Sequence, residues 1–332
     1  MAIEQPAGVR PPIADGRPPG SRLACLDAFR GFDILVMIFV NYLAGMAGIP
    51  FLLRHAAADM DACTLTDVVF PGFLFIVGVA IPLSLIKRIQ AGDPPLRLAG
   101  RIAVRSAALL FLGVIMVNRE YFSEAAAGMS RDLWYFLAFA AVVIIWKITP
   151  SAASPGRRRA ERAAKAAAGF VLLLLLILFR GTAASGAVVW LRPSWWGILG
   201  MIGWAYLLSS LAYLFIGRSR TALLGLLGLL TAACIGNSCG LLDFLGGGGG
   251  TAFRGQLACH SVIVLAGVLF GTLFTAKDQA LSHARRAVFM LSLGLGLYAS
   301  GLLLRPLHGL SKIRATESYA LVTAGICALL FM

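Results

Sequence analysis

Ten apolar segments separated by polar links recur along these 332 residues, at about 32–49, 67–86, 103–118, 133–148, 166–180, 196–216, 221–240, 257–275, 287–304 and 318–332. A helix rises 1.5 Å per residue, so about 20 residues cross the hydrocarbon of a bilayer. Several segments are somewhat shorter. A soluble domain of this length could not hide so much apolar surface. Hydrophobic residues make up 59% of the chain and charged ones 13%, and mean hydropathy is +0.84. The pattern predicts an all-α, polytopic integral membrane bundle of about ten transmembrane helices.

Charge sets the orientation. The net charge is +14, from 29 Lys and Arg against 15 Asp and Glu. With ten spans, the links on the side of the N-terminus carry 20 of those 29 basic residues and the opposite links carry 9. Cytoplasmic links gather Lys and Arg, so the N-terminus is expected in the cytoplasm. The partner implied by this basicity is membrane lipid. Nucleic-acid binding would need a concentrated basic face on a folded polar domain, and the sequence has none.

Residues 1–21 are rich in Pro, Gly and Arg and lack the apolar core of a signal peptide, which predicts a disordered cytoplasmic tail. Residues 22–332 then form the transmembrane domain. The basic cytoplasmic link 149–165, TPSAASPGRRRAERAAK, is a candidate sub-boundary within it. Gly246–Gly250 reads as an outer loop; without a following GK[ST] it is no phosphate loop. The six cysteines are scattered, with no CxxC pair and no His/Cys spacing suited to a metal.

Polar groups concentrate in the stretch from Arg22 to Arg88. Two apolar runs flank a link carrying His55, Asp59, Asp61 and Asp67, and Asn41 sits inside the first run. Polar groups at such depth are costly and mark candidate sites. An imidazole titrates near neutral pH, so His55 suits a general base or acyl acceptor. A histidine on a surface loop explains the same spacing equally well. Asp59, Asp61 and Asp67 could orient that imidazole; they could equally solvate the link and cap the second helix, as could Thr64 or Thr66. Asn41 must find hydrogen bonds, either to another helix or to a developing oxyanion.

At the opposite end, Asp27 and Arg30 have the i, i+3 spacing of a helical ion pair. Arg30, with Arg22, Lys87 and Arg88, would form a cationic rim suited to an anionic cytosolic ligand, and Asp33 could join that network. His260 is expected at a helix start. Trp195 and Trp196 read as interfacial anchors. His308 and Lys312 fall in a late outer link.

The segment RLACLDAFRGFDILVMIFVNY, a His-bearing link and TDVVFPGFLFIVGVAIPLSL, in that order, resemble the opening of the transmembrane acyltransferases related to heparan-alpha-glucosaminide N-acetyltransferase. WWGILGMIGWAYLL, HSVIVLAGVLFG and KIRATESYALVTAGI are similar to later blocks of that family. The resemblance implies acetyl transfer from cytosolic acetyl-CoA, with no metal, to an amino sugar or other glycan acceptor across the membrane. It carries the family's active-site histidine onto His55 and its functional asparagine onto Asn41. The cationic set Arg22, Arg30, Lys87 and Arg88 would then meet the donor's phosphates. It also implies a bacterial inner (plasma) membrane setting, and a homodimer is compatible with it. The link is longer than in the lysosomal enzyme, and the aromatic and glycine expected after the histidine read Ala and Asp here. Relatives continue past a segment like 318–332, so either this sequence is a piece or this member is short. A transporter or flippase of a sugar-linked or acylated lipid would also use a polar cluster, but needs broken helices in matching halves, and no inverted repeat is visible. A structural envelope subunit would leave the cluster without a ligand.

Overall fold

A computed structural model describes residues 24–148, 150, 154–217, 219–245, 249–275 and 282–332. The predicted tail, Arg22, part of the basic link and part of the glycine run lie outside the described residues.

The chain is an all-α membrane protein. Its helices are α1 (Ala24–Leu43), α2 (Leu65–Gln90), α3 (Pro95–Asn118), the short α4 (Glu124–Ala127), α5 (Arg131–Trp146), α6 (Pro155–Leu178), α7 (Gly197–Ile216), α8 (Arg220–Ser238), α9 (Gly249–Thr272), α10 (His283–His308) and α11 (Glu317–Leu330). Two-residue strands β1 (Gly181–Thr182) and β2 (Val188–Val189) pair antiparallel.

Each predicted apolar segment falls on a helix, with shifted ends. The first stops at Leu43 rather than 49, because Gly45 and Gly48 adopt left-handed φ of +89° and +76°, conformations that break a helix. α6 starts well before residue 166, since Ser154 caps it and Pro155 suits its first turn. α9 begins at Gly249, so His260 lies deep inside a helix rather than at its start. There it is buried and meets Phe70 edge-on, with ring centroids 5.0 Å apart.

Among the described residues, six helices are both long and apolar enough to cross a membrane: α2, α3, α7, α8, α9 and α10. The others have physical reasons to fall short. Asp27, Arg30 and Asp33 interrupt α1, basic residues fill the first turns of α6, and α5 and α11 have only 16 and 14 residues.

The chain divides into two compact units. One runs to Ala103 and resumes at Trp204; the other is Val104–Gly203. In the first, α9 is central. Of its most apolar window 89% is buried, against 22% for α10. α2 and α11 pack on α9, and α10 and α1 flank them. The α2–α9 crossing is tight enough to require glycine: a Cβ at Gly78 would collide with the Val264 carbonyl, and one at Gly267 with that of Phe75. Small residues permit this approach where lipid offers no hydrophobic drive to associate. The second unit is built on α5 and α6. Trp134 is fully buried there against Phe122 and Phe179, and its Nε1–H donates to the Leu175 carbonyl at 3.0 Å.

Candidate functional site

The start of α2 organises the polar cluster. Thr64 is its N-cap, and Asp67 occupies the third helical position, completing a reciprocal capping box. The Asp67 side chain is 1% exposed. Its Oδ2 accepts from the backbone N–H of Ala56 at 3.1 Å and of Thr64 at 3.3 Å. The Thr64 hydroxyl, with one proton to give, lies 3.0 Å from the same oxygen and 2.7 Å from the Arg54 carbonyl. Oδ1 therefore faces the imidazole: Nδ1 of His55 is 2.7 Å away. An ionised carboxylate only accepts, so Nδ1 carries a hydrogen, and in the neutral ring the lone pair is on Nε2. The His55 side chain is 52% exposed, which leaves it accessible while one edge is fixed.

Two further groups hold this pair. The Tyr319 hydroxyl, on α11, donates to the Asp67 carbonyl at 2.8 Å. Lys312 Nζ stands 3.3 Å from His55 Nδ1 and 3.9 Å from Asp67 Oδ1. With Nδ1 already donating, the ammonium forms a longer ion pair with the carboxylate rather than a hydrogen bond to the ring. Burial pushes the Lys312 ammonium below the usual lysine range, while Asp67 opposes that shift. Nearby, burial and Asp67 push the Cys63 thiol up to about 12, which keeps it unreactive.

Lys312 and Tyr319 reach the cluster because the link 55–64 and the link 309–316 are fastened together. Arg305 Nε donates to both carboxylate oxygens of Asp61, at 3.1 and 2.9 Å. The Leu310 N–H donates to Asp61 Oδ1 at 2.6 Å, and the Ala62 N–H donates back to the Leu310 carbonyl at 3.1 Å. Arg314 Nε donates to the Ala58 carbonyl at 2.8 Å. The Leu310 N–H above all, and Arg305, hold the Asp61 carboxyl below the usual range against the opposing pull of desolvation.

Of the three candidate orienting carboxylates, Asp67 touches the imidazole. Asp61 instead fastens the two links, and Asp59 is exposed. Asn41 lies exposed near the end of α1. At the other end, Arg30 pairs with Asp27 at 3.1 Å, and Arg22 lies outside the described residues. Lys87 and Arg88 are exposed in the last turn of α2. Arg88, Arg97 and Arg101 converge on Asp93, at 3.7, 3.5 and 2.6 Å. Desolvation pushes the Asp93 carboxyl up, but the hydrogen bond and charge of Arg101, with Arg97 and Arg88, bring it below its usual range. Three guanidinium groups on one carboxylate leave net positive charge there. Asp33 is buried against Gly72 of α2, where a Cβ would lie 2.6 Å from its Oδ1, rather than joining a cationic rim.

Sequence reading missed Lys312 as a neighbour of His55, Tyr319 as the anchor of Asp67, and Arg97 and Arg101 as members of the basic cluster. The i, i+4 spacing of Asp93 and Arg97 was a visible signal. The contacts of Lys312 and Tyr319 span more than 250 residues and left none.

The pattern of the family described as Domain of unknown function (DUF5009) matches residues 22–234. The mouse heparan-alpha-glucosaminide N-acetyltransferase is 38% identical over 124 residues, covering 36% of this chain and 18% of that protein. The human protein of the same name is 41% identical over 100 residues, covering 30% and 14%. The match thus spans less than a fifth of the length of either relative.

Proposed function

The chain belongs to the DUF5009 family, and from that premise we propose that it is a membrane-embedded acetyltransferase. In this reading an acetyl group passes from cytosolic acetyl-CoA to an amino sugar or other glycan acceptor on the opposite side. The protein sits in a bacterial inner membrane with a cytoplasmic N-terminus. The observation that carries the reading is the His55–Asp67 pair, whose geometry frees Nε2 at the edge of a membrane bundle. The resemblance to proteins named as N-acetyltransferases supports the reaction class.

The geometry supports the following chemistry. Nε2 of His55 takes the proton from the acceptor amine or hydroxyl as that group attacks the thioester carbonyl. Alternatively, Nε2 itself forms the bond to the acetyl carbon and passes the group on. Either way the carbon–sulfur bond breaks and the CoA thiolate leaves, to be protonated. Asp67 holds the ring in one tautomer and stabilises the imidazolium that forms, as in other carboxylate–histidine pairs. Asn41, exposed near the end of α1, would donate to the thioester oxygen. Arg88, Lys87 and Arg30, with Arg97 and Arg101, would attract the donor's phosphates, for which guanidinium groups are suited.

The test is direct. Purified protein given acetyl-CoA and glucosamine should release more than one equivalent of CoA thiol per chain, with acetylated sugar as co-product. It should also bind acetyl-CoA without an acceptor. A protein that neither binds acetyl-CoA nor releases thiol with any sugar would overturn the proposal.

A further inference from the structure

Acyl transfer at His55 leaves a second chain of polar groups unused in the same unit. Cys239 directly follows α8 and is exposed. Its Sγ lies 3.8 Å from Nε2 of His308, the last residue of α10. Nδ1 of His308 lies 2.8 Å from Oε1 of Glu317, the first residue of α11. The Glu317 side chain is 0% exposed, and its Oε2 has no hydrogen-bond partner among the described residues. A buried carboxylate with a free oxygen is costly unless it serves the group it faces.

The order is nucleophile, base, carboxylate. Glu317 accepts from Nδ1, so the Nε2 lone pair faces the thiol. The helix ends reinforce this. Glu317 sits at the positive N-terminus of α11 and His308 at the negative C-terminus of α10, so a proton arriving on Nε2 is stabilised from both sides. His308 also lines a cavity of about 690 Å³ with Asn237, Ser238, Gln256, Arg314 and Thr316. Amide, hydroxyl and guanidinium groups thus line a space that His308 borders, and Cys239 directly follows one lining residue, Ser238. A volume of this size falls in the range of small-molecule sites.

We propose that Cys239, His308 and Glu317 form a second nucleophilic centre that reacts with acyl thioesters and uses neither His55 nor Asp67. Sγ bonds to the thioester carbonyl carbon while its proton passes to Nε2. The carbon–sulfur bond to the leaving thiol breaks, and that thiolate takes the proton from His308. One thioester replaces another, so no oxidant or reductant is needed. Gln256 and Arg314 are the cavity donors suited to the carbonyl oxygen. Glu317 is a positioning residue, holding the ring so that Nε2 meets the thiol.

The test uses the full chain in detergent with S-acetyl-N-acetylcysteamine as probe, read by intact mass and peptide mapping. Cys25, also exposed, is the internal control. The expected result is a hydroxylamine-sensitive acetyl group on Cys239 that forms at least about tenfold faster than on Cys25. It should be absent in Cys239→Ala, slowed at least about tenfold in His308→Gln, and unchanged in His55→Ala. Iodoacetamide should likewise alkylate Cys239 faster than Cys25 at pH 7. Glu317→Gln should remove that advantage without altering the Cys25 rate, an effect that a role in fastening helices would not produce. His308→Gln keeps a side chain able to bond Glu317, and a thermal melt checks its folding. Acetylation of Cys239 no faster than of Cys25, or an unchanged rate in folded His308→Gln, would overturn the proposal.

Discussion

At the residue scale, Asp67 divides its two oxygens between two tasks. Oδ2 serves the backbone of Ala56 and Thr64, and Oδ1 serves His55. One carboxylate thus caps a helix and sets a tautomer, and substitution separates the two roles. Asp67→Asn should lower stability by about 1–3 kcal/mol, since buried donors lose their acceptor. It should lower acetyl transfer by a further 10²–10⁴-fold, on the order of a general-base loss, because an amide can present either edge to Nδ1. Thr64→Ala should cost about 1 kcal/mol of stability and leave the chemistry closer to wild type. Thermal melts and single-turnover rates on the same samples check both. Asn41 gives a second contrast. If its amide donates to a developing oxyanion, alanine loses about 10²–10³-fold, and aspartate loses more because it adds repulsion. Equal turnover in folded Asn41→Ala, Asn41→Asp and wild type would leave Asn41 without a part in the transfer.

At the element scale, the two links that frame His55 are joined by Asp61, Arg305 and Leu310. The Asp61 carboxyl is held below its usual range, so its contribution is present above the unfolded carboxyl value and is lost as pH falls through the folded one. Relative to the intrinsic exchange rate at each pH, hydrogen exchange should find residues 55–64 and 309–316 protected together at neutral pH and less protected well below pH 3.8. Asp61→Asn should abolish that pH dependence. How much was legible beforehand follows from the range of each contact. Asp67 and Thr64 form a local box, readable from their three-residue spacing, and His55 lies 12 residues away on the same link. Lys312, Tyr319 and Arg305 belong to the same arrangement, but they arrive through packing of α11 on α2 and of α10 on α11, which no local periodicity encodes. The helices were legible as apolar segments. Their ends were not, because left-handed glycines stop α1 early and Ser154 starts α6 among charged residues.

At the scale of the whole molecule, α2 links two chemically different ends. Asp67 lies in its first turn and Arg88 in its last, about 32 Å apart along the axis. One end offers a carboxylate–histidine pair, the other a cluster of guanidinium groups around Asp93. This is the arrangement expected if an anionic donor enters at one face and its acyl group is delivered at the other. The close α2–α9 crossing fixes α2 within the first unit. Gly267→Leu should force these helices apart and unfold the first unit or abolish its thermal transition, whereas Gly225→Leu, at an open position on α8, should be tolerated. The proposal at stake is that His55, as base or as transient acyl carrier, acts on the acetyl group of a donor bound at the Arg88 end. Its most direct test is acetyl-CoA turnover in sealed vesicles of known orientation, with wild-type and His55→Ala protein. The account predicts that acetyl-CoA supplied at the Arg88 end is consumed and acetylated sugar appears in the opposite compartment. It predicts that His55→Ala still binds acetyl-CoA while transferring about 10²–10⁴-fold more slowly. Turnover only when acetyl-CoA is supplied at the His55 end, or near-wild-type transfer by His55→Ala, would contradict it.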